Sequence, residues 1–170
     1  MLERCYSKKL HLRCPTYTNC SVCAVWVIFS NFKWWMGGQD WEGKDLDKDI
    51  IVPNNKEYSP DNCAFVDKAL NRFFLDSAST RGAYPKGVHW SKINKKFNAK
   101  ISAYGKIMCM GYYDSVGEAE IAYLGEKCAI ALVHKDNQTD TRVKNGIQTR
   151  IQQMSDRILE LELVILQEHI

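Results

Sequence analysis

The residues of this 170-residue chain that could do chemistry are seven cysteines and two oppositely charged stretches. Cys20 and Cys23 have the spacing of half a zinc site, but a structural zinc needs four ligands, commonly two such pairs. No second pair exists. Cys63 stands alone, Cys109 and Cys128 fall in another part of the chain, and no spacing ties Cys5 or Cys14, with His11, to the first pair. We therefore expect no zinc and read the cysteines as reduced thiols that pack as small hydrophobes. Their odd number, without a secretory leader, points to a reducing cytoplasmic compartment.

Charge is the second signal. From Arg81 to Tyr113 there are seven basic residues (Arg81, Lys86, Lys92, Lys95, Lys96, Lys100, Lys106) and no acid, or +7 over 33 positions. From Gly37 to Asn62 there are seven acids (Asp40, Glu42, Asp45, Asp47, Asp49, Glu57, Asp61) against three lysines, or −4. A charge run is usually a solvated face. Two runs of opposite sign within one short chain predict two modules, one suited to a polyanion and one to a cation.

The elements that must position these residues follow from pattern. Apolar content of 45% and charged content of 25% are globular values. No apolar run approaches the ~20 residues of a membrane span, so no membrane partner is expected. In the basic stretch, alternation at Val88–Ser91 and Phe97–Ser102 and the run Ile107–Tyr113 predict three antiparallel strands. Turns fall at Asn94-Lys95 and Tyr104-Gly105. Ser115 and Glu118 form a capping box before a helix with an apolar stripe at Ala119, Ala122, Tyr123, Ala129 and Ile130. A sheet backed by such a helix would display Lys, His and Trp side chains on its open side, at a width that enters a DNA major groove.

Elsewhere, Ile147, Ile151, Met154, Ile158, Leu161 and Ile165 are spaced four and three apart, an a/d seam. It predicts a long amphipathic helix that packs on its own domain or pairs two copies through 147–165. The N-terminal third reads as a helix from Leu2 to about Leu12, a Cys/Thr loop, and an apolar helical stretch from Val22 to Met36. There Trp26, Phe29, Phe32, Trp35 and Met36 are candidate core.

The acidic stretch has a wording of its own. A short strand ends at Asp47-Lys48, a polar loop carries Asn54-Asn55 and Ser59-Pro60-Asp61-Asn62, a second strand spans Cys63–Val66, and a helix from about Asp67 carries Asn71. This resembles the ββα-metal core of the HNH endonuclease family. Ser59-Pro60-Asp61-Asn62-Cys63 stands where the family has Pro-Glu-Asn-Leu. The resemblance implies one Mg²⁺ (or Mn²⁺) held by Asp47 and Asn71, with Asn62 and Lys48 completing the catalytic set. Lys48 stands where the family carries its general-base histidine, and no histidine occurs between Gly37 and Asn71. Histidine suits that task near neutrality, whereas a lysine of ordinary pKa ~10.4 is protonated there. Loss of a positioned base typically costs ~10²- to 10⁴-fold in rate.

The second module is similar to the plant Apetala-type (ethylene-response-factor) DNA-binding domain. The words that carry this are Gly87-Val88-His89-Trp90-Ser91-Lys92, Lys96-Phe97-Asn98-Ala99-Lys100-Ile101 and Gly111-Tyr112-Tyr113-Asp114-Ser115, then Glu118–Tyr123. The resemblance implies phosphate positioning by Lys92, Lys95, Lys96, Lys100 and Lys106. His89 and Trp90 would lie near bases, and Lys86 stands at a family base-contact position. Fusion of the two modules is typical of phage-borne and homing endonucleases. Arg4-Cys5-Tyr6-Ser7 and Pro15-Thr16-Tyr17 also look like the phage members, in which more residues precede the equivalent start, so a shortened form is expected.

Together these readings predict an α+β protein with three parts. They are an HNH-like ββα module with an N-terminal helical part over 1–76, a DNA-binding three-stranded sheet plus helix over 82–133, and an amphipathic, dimerising helix over 140–170. The expected activity is metal-dependent nicking or cleavage of double-stranded DNA in the cytoplasm, a host cytoplasm if phage-encoded. The alternative is a catalytically weak or dead scaffold that binds DNA as a regulator, or that blocks a host defence complex.

Overall fold

The computed structural model of the chain describes residues 1–75 and 82–168. Arg81, position 76 of the first expected module and positions 169–170 of the last lie outside the described residues. The fold is mixed α+β, as expected, but it divides into two compact units rather than three. One unit is Met1–Phe74 with Asp140–Gly146, and the other is Leu75–Thr139 with Ile147–Ile170. The C-terminal helix is thus not a third module: its first residues group with the first unit and the remainder with the second.

In the first unit, α1 (Leu2–Tyr6), α2 (Lys8–Arg13) and a 3-10 turn (Pro15–Tyr17) lead to β1 (Ser21–Val22), α3 (Ala24–Val27) and α4 (Phe29–Gly37). Then follow β2 (Asp45–Asp47), β3 (Glu57–Tyr58), β4 (Ala64–Val66) and α5 (Lys68–Phe74). The single helix expected over Leu2–Leu12 is broken at Ser7, whose extended backbone (φ −84°, ψ 108°) lets its hydroxyl accept from the Leu10 amide at 3.3 Å. An N-cap side chain that satisfies a first-turn amide starts a new helix there. A second break falls at Ile28, also extended.

Trp26 is the buried centre of this unit, with Trp35 tilted at 4.5 Å and Phe32 edge-on at 5.2 Å. Cys5, Cys20, Val22, Tyr58 and Cys63 complete the cluster. Phe29, expected in the core, is exposed, because the break at Ile28 turns it outward. β1 pairs with β3 in parallel, and β2 with β4 antiparallel, with Asp45 opposite Val66 and Asp47 opposite Ala64.

Helix α7 (Thr141–Glu168) begins in this unit, where Val143 and Gly146 are buried. Asp140 caps it: its carboxylate accepts from the Arg142 amide at 2.8 Å and pairs with the Arg142 guanidinium at 2.8 Å. That guanidinium holds the Asp140 carboxyl below its ordinary value. A carboxyl pKa that is lower in the folded state adds stability above the unfolded value, and this is lost as pH falls through the folded one. The Asp140→Ala protein should be less stable by about 1 kcal/mol at neutral pH. Urea midpoints should show that deficit shrinking as pH falls below the ordinary carboxyl range and through the lowered folded one.

The second unit is built on β5 (Val88–Ser91), β6 (Lys96–Ala103) and β7 (Lys106–Tyr113), an antiparallel sheet in that order, covered by α6 (Val116–Asp136). Tyr104 and Gly105 both have positive φ (53° and 72°), as a two-residue hairpin turn matched to strand twist requires. Ser115 and Glu118 make both bonds of the capping box. Val88, Ala99, Ile101 and Ala103 are the buried face of the sheet, and in α6 the buried residues are Ala119, Tyr123, Ile130 and Ala131. Ala129, expected in that stripe, is exposed. Gly87 passes so close to the Tyr123 ring that a Cβ there would stand 2.0 Å from it.

The α7 seam closes on α6. Gly117 faces Ile165, Glu120 pairs with Arg157 at 3.2 Å, and the Cys128 thiol donates to the Ile151 carbonyl. Lys135 donates to Gln148 at 2.8 Å. Partners descend along α7 as they ascend along α6, so the two form an antiparallel hairpin. Ile147, Ile151 and Leu161 are buried, and Met154, Ile158 and Ile165 half-buried, within one chain. The stripe over 147–165 meets α6, which is the packing on its own domain that the sequence offered beside the pairing of two copies. No helix among the described residues is long and apolar enough to cross a membrane.

Candidate functional site

The acidic segment of the first unit is organised by β2. Residues two apart on a strand share a face, so Asp45 and Asp47 project together while Leu46 joins the core cluster with Trp35. The antiparallel β2–β4 pair is followed at once by α5, and the Asn71 amide on that helix donates to Asp45 at 3.2 Å. The carboxylate that meets Asn71 is therefore Asp45, whereas the expected partner was Asp47. The Asp47 carboxylate accepts from the backbone amides of Asp49 (2.7 Å) and Ile50 (2.5 Å), which turns the chain out of the strand.

Lys48 is buried, with 7% of its surface exposed. Its ammonium donates to both oxygens of Asp49 (2.8 and 2.7 Å) and to the Asn55 carbonyl (2.6 Å). Asn55 returns the contact by donating to the Lys48 carbonyl at 2.8 Å. An ammonium with all three protons donated has no lone pair with which to take another. In this arrangement Lys48 holds the loop after β2 and is not placed as a base. Asn62 sits in the turn before β4, where its amide donates to Glu57 at 3.4 Å rather than to Asp45 or Asn71.

Among the described residues no three His, Cys, Asp or Glu side chains gather to hold a metal. Asp45, Asp47 and Asn71 offer only hard oxygen ligands, although Asn71 turns its NH₂ rather than its amide oxygen toward Asp45. Such a set matches Mg²⁺, which takes one or two carboxylates and keeps several waters. The thiols lie elsewhere. Cys5, Cys20 and Cys63 are core residues, and burial pushes the Cys63 thiol up to about 12.

In the second unit, residues paired across strands share a face. The row Trp90, Phe97, Tyr113 therefore lies on the helix-facing side with Val88 and Ala99. Trp90 was expected on the open side; it instead packs edge-on against Phe97 at 4.9 Å, at the rim of the covered face. The open face carries His89, Lys96, Asn98, Lys100 and Ser102, with Tyr112, Cys109 and Ile107 from β7. Lys92 and Lys95 occupy the β5–β6 turn, and Lys106 starts β7 in register with Ala103. Lys92, Lys95, Lys100 and Lys106 are exposed and unpaired among the described residues. Lys96 pairs with Asp114 at 2.9 Å, and Lys86 donates to the Leu75 carbonyl.

Two residues of interest escaped the sequence reading. Asp45 could have been found from its i, i+2 relation to Asp47. Asn98 is buried, with 2% of its surface exposed, and carries a carbonyl oxygen without a partner among the described residues, which no sequence pattern announces. No family model, curated protein or solved structure matches the chain.

Proposed function

We propose that this protein binds duplex DNA through the three-stranded module and nicks it slowly at the ββα unit, as an endonuclease of the HNH kind. The observation that carries the reading is the Asn71–Asp45 contact across the strand, loop, strand, helix unit. That unit has the order of the HNH wording in the sequence. The four unpaired lysines around a sheet that resembles the Apetala-type domain supply the affinity for phosphates. Lysine contributes there as a point charge rather than through the bidentate guanine geometry of arginine.

Asp45 would hold one Mg²⁺ or Mn²⁺, with the Asn71 amide beside it. When bound, that ion would neutralise charge on the phosphorane and stabilise the leaving oxygen. Asn71, anchored on α5, orients the Asp45 carboxylate. Asp47, spent on the turn, fixes the end of β2. Lys48, at the place where the family carries its base, is bonded to Asp49 and Asn55, so the turnover expected is slow, by the ~10²- to 10⁴-fold that a positioned base provides.

Lys48 favours a second reading, a binder that keeps the scaffold without cutting. Supercoiled plasmid incubated with the protein, with and without Mg²⁺ or Mn²⁺, beside gel shifts at two salt concentrations, separates the two. Nicking that needs the metal, is abolished in Asp45→Ala and is weakened roughly tenfold or more in Asn71→Ala supports the enzyme. Salt-sensitive binding without nicking leaves the binder. Neither binding nor nicking overturns both.

A further inference from the structure

The tip of the β5–β6 hairpin carries a residue that turn chemistry does not call for. Strand β5 closes on β6 at the Ser91–Lys96 pair, and Lys92-Ile93-Asn94-Lys95 make the turn between them. Turn positions favour Gly, Asn, Asp, Ser and Pro. Ile93 is instead a β-branched apolar residue with 93% of its surface exposed, the most of any large apolar side chain among the described residues. The turn that presents it is fixed. The Ser91 hydroxyl accepts from the Asn94 backbone amide at 3.3 Å and from the Asn94 side-chain amide at 3.1 Å. Lys95 is held at φ 49°, a left-handed conformation that glycine or asparagine adopts more easily. A lysine kept there supplies a cation that the turn itself does not need.

The charge around the tip narrows what it can meet. Lys92 and Lys95 are exposed on either side of Ile93 and unpaired among the described residues. No acid occurs between 82 and 113, and Asp114 is paired with Lys96 at 2.9 Å. An apolar group between exposed cations suits a polyanion with an apolar interior, which stacked base pairs behind a phosphate backbone provide. The opposite end of the sheet is built differently. There Tyr104 rests against the His134 ring at 6.3 Å and 22°, so that tip is laid back on its own module.

We infer that Ile93 is a wedge that enters between two stacked base pairs of a bound duplex and kinks it, while Lys92 and Lys95 hold the phosphates on either side. The inference rests on the duplex-binding proposal above and adds a deformation to it. Apolar wedges of this kind partly unstack a base step and bend DNA by about 20–90°. Pyrimidine–purine steps unstack most easily and A-tracts are stiff, so duplexes that contain a TA or CA/TG step should be bound best. Such a preference is read as deformability and needs no arginine–guanine contact.

The full chain, in EDTA to prevent cleavage, is mixed with an A-tract duplex interrupted by one TA step, with 2-aminopurine at that step and dyes at both ends. Fluorescence of 2-aminopurine rises when its stacking is lost, and energy transfer between the ends reports the bend. The native chain should raise both signals and bind this duplex several-fold tighter than an uninterrupted A-tract. Ile93→Ala should abolish both signals while the salt dependence of binding stays unchanged, and Ile93→Leu should retain them. Lys92→Ala should keep the kink and lower the salt slope by about one. Duplex binding with neither signal, or signals that survive in Ile93→Ala, overturns the inference and leaves the binding proposal standing. No duplex binding at all refutes both. Ile93-dependent flotation with phosphatidylserine vesicles, without a kink in bound DNA, assigns the tip to an anionic membrane surface and likewise overturns the wedge.

Discussion

Gly146→Ala should cost the protein about 3 kcal/mol or more, although alanine is the better helix former. Gly146 is buried in α7, and a Cβ there would stand 2.0 Å from the Ile50 carbonyl oxygen and 2.8 Å from that of Ile51. Both obstacles are backbone, so no rotamer change relieves them, and the helix must move off the segment after β2. Helix propensity would return only about 1 kcal/mol. Gly125 in α6 is the control: nothing lies within 4 Å of its Cβ direction, so Gly125→Ala should leave stability unchanged or raise it by up to about 1 kcal/mol. Thermal and urea melts of the two variants should therefore move apart. Equal shifts would refute the close approach of α7 to Ile50.

Lys48→Ala is expected to lower stability by about 3 kcal/mol. The ion pair is the smaller part of this, because Asp49 is 42% exposed and regains water when its partner goes. The larger part is the Asn55 carbonyl, which loses the ammonium that reaches it at 2.6 Å, together with the space left by a buried side chain. Lys48→His would supply the imidazole that the proposed nuclease lacks, but an imidazole cannot reproduce three donated bonds, so that protein should also be destabilised. Urea unfolding of both variants is the check. A Lys48→Ala protein as stable as the parent would show that the loop does not depend on this side chain, and would return Lys48 to the list of candidates for direct chemistry.

Much of the architecture was legible because it is written in local chemistry. The strand alternation around Phe97–Ser102, the Tyr104-Gly105 turn and the Ser115/Glu118 capping box are each decided by neighbours within a few residues, and each appears where expected. What escaped was decided at longer range. Whether Asn71 meets Asp45 or Asp47 depends on the depth at which α5 settles over β2. Whether the α7 seam faces α6 or another copy depends on a contact more than thirty residues away, between Glu120 and Arg157. The breaks at Ser7 and Ile28 were hidden for a different reason. Both sit in apolar-periodic stretches in which one capping hydroxyl, or one extended residue, outweighs the pattern. Trp90 went astray by one step of alternation, which is enough to move a side chain through the sheet.

The division of the chain has a consequence for its ancestry and its engineering. Because Asp140–Gly146 belongs with Met1–Phe74, the two halves are interleaved rather than strung end to end. A single recombination joint near residue 75 would give a front half without its closing helical turn and a back half bearing that turn as a remnant. Exchange of either half between chains therefore requires two joints, one on each side of the inserted sheet, so shuffling would have to proceed by cassette.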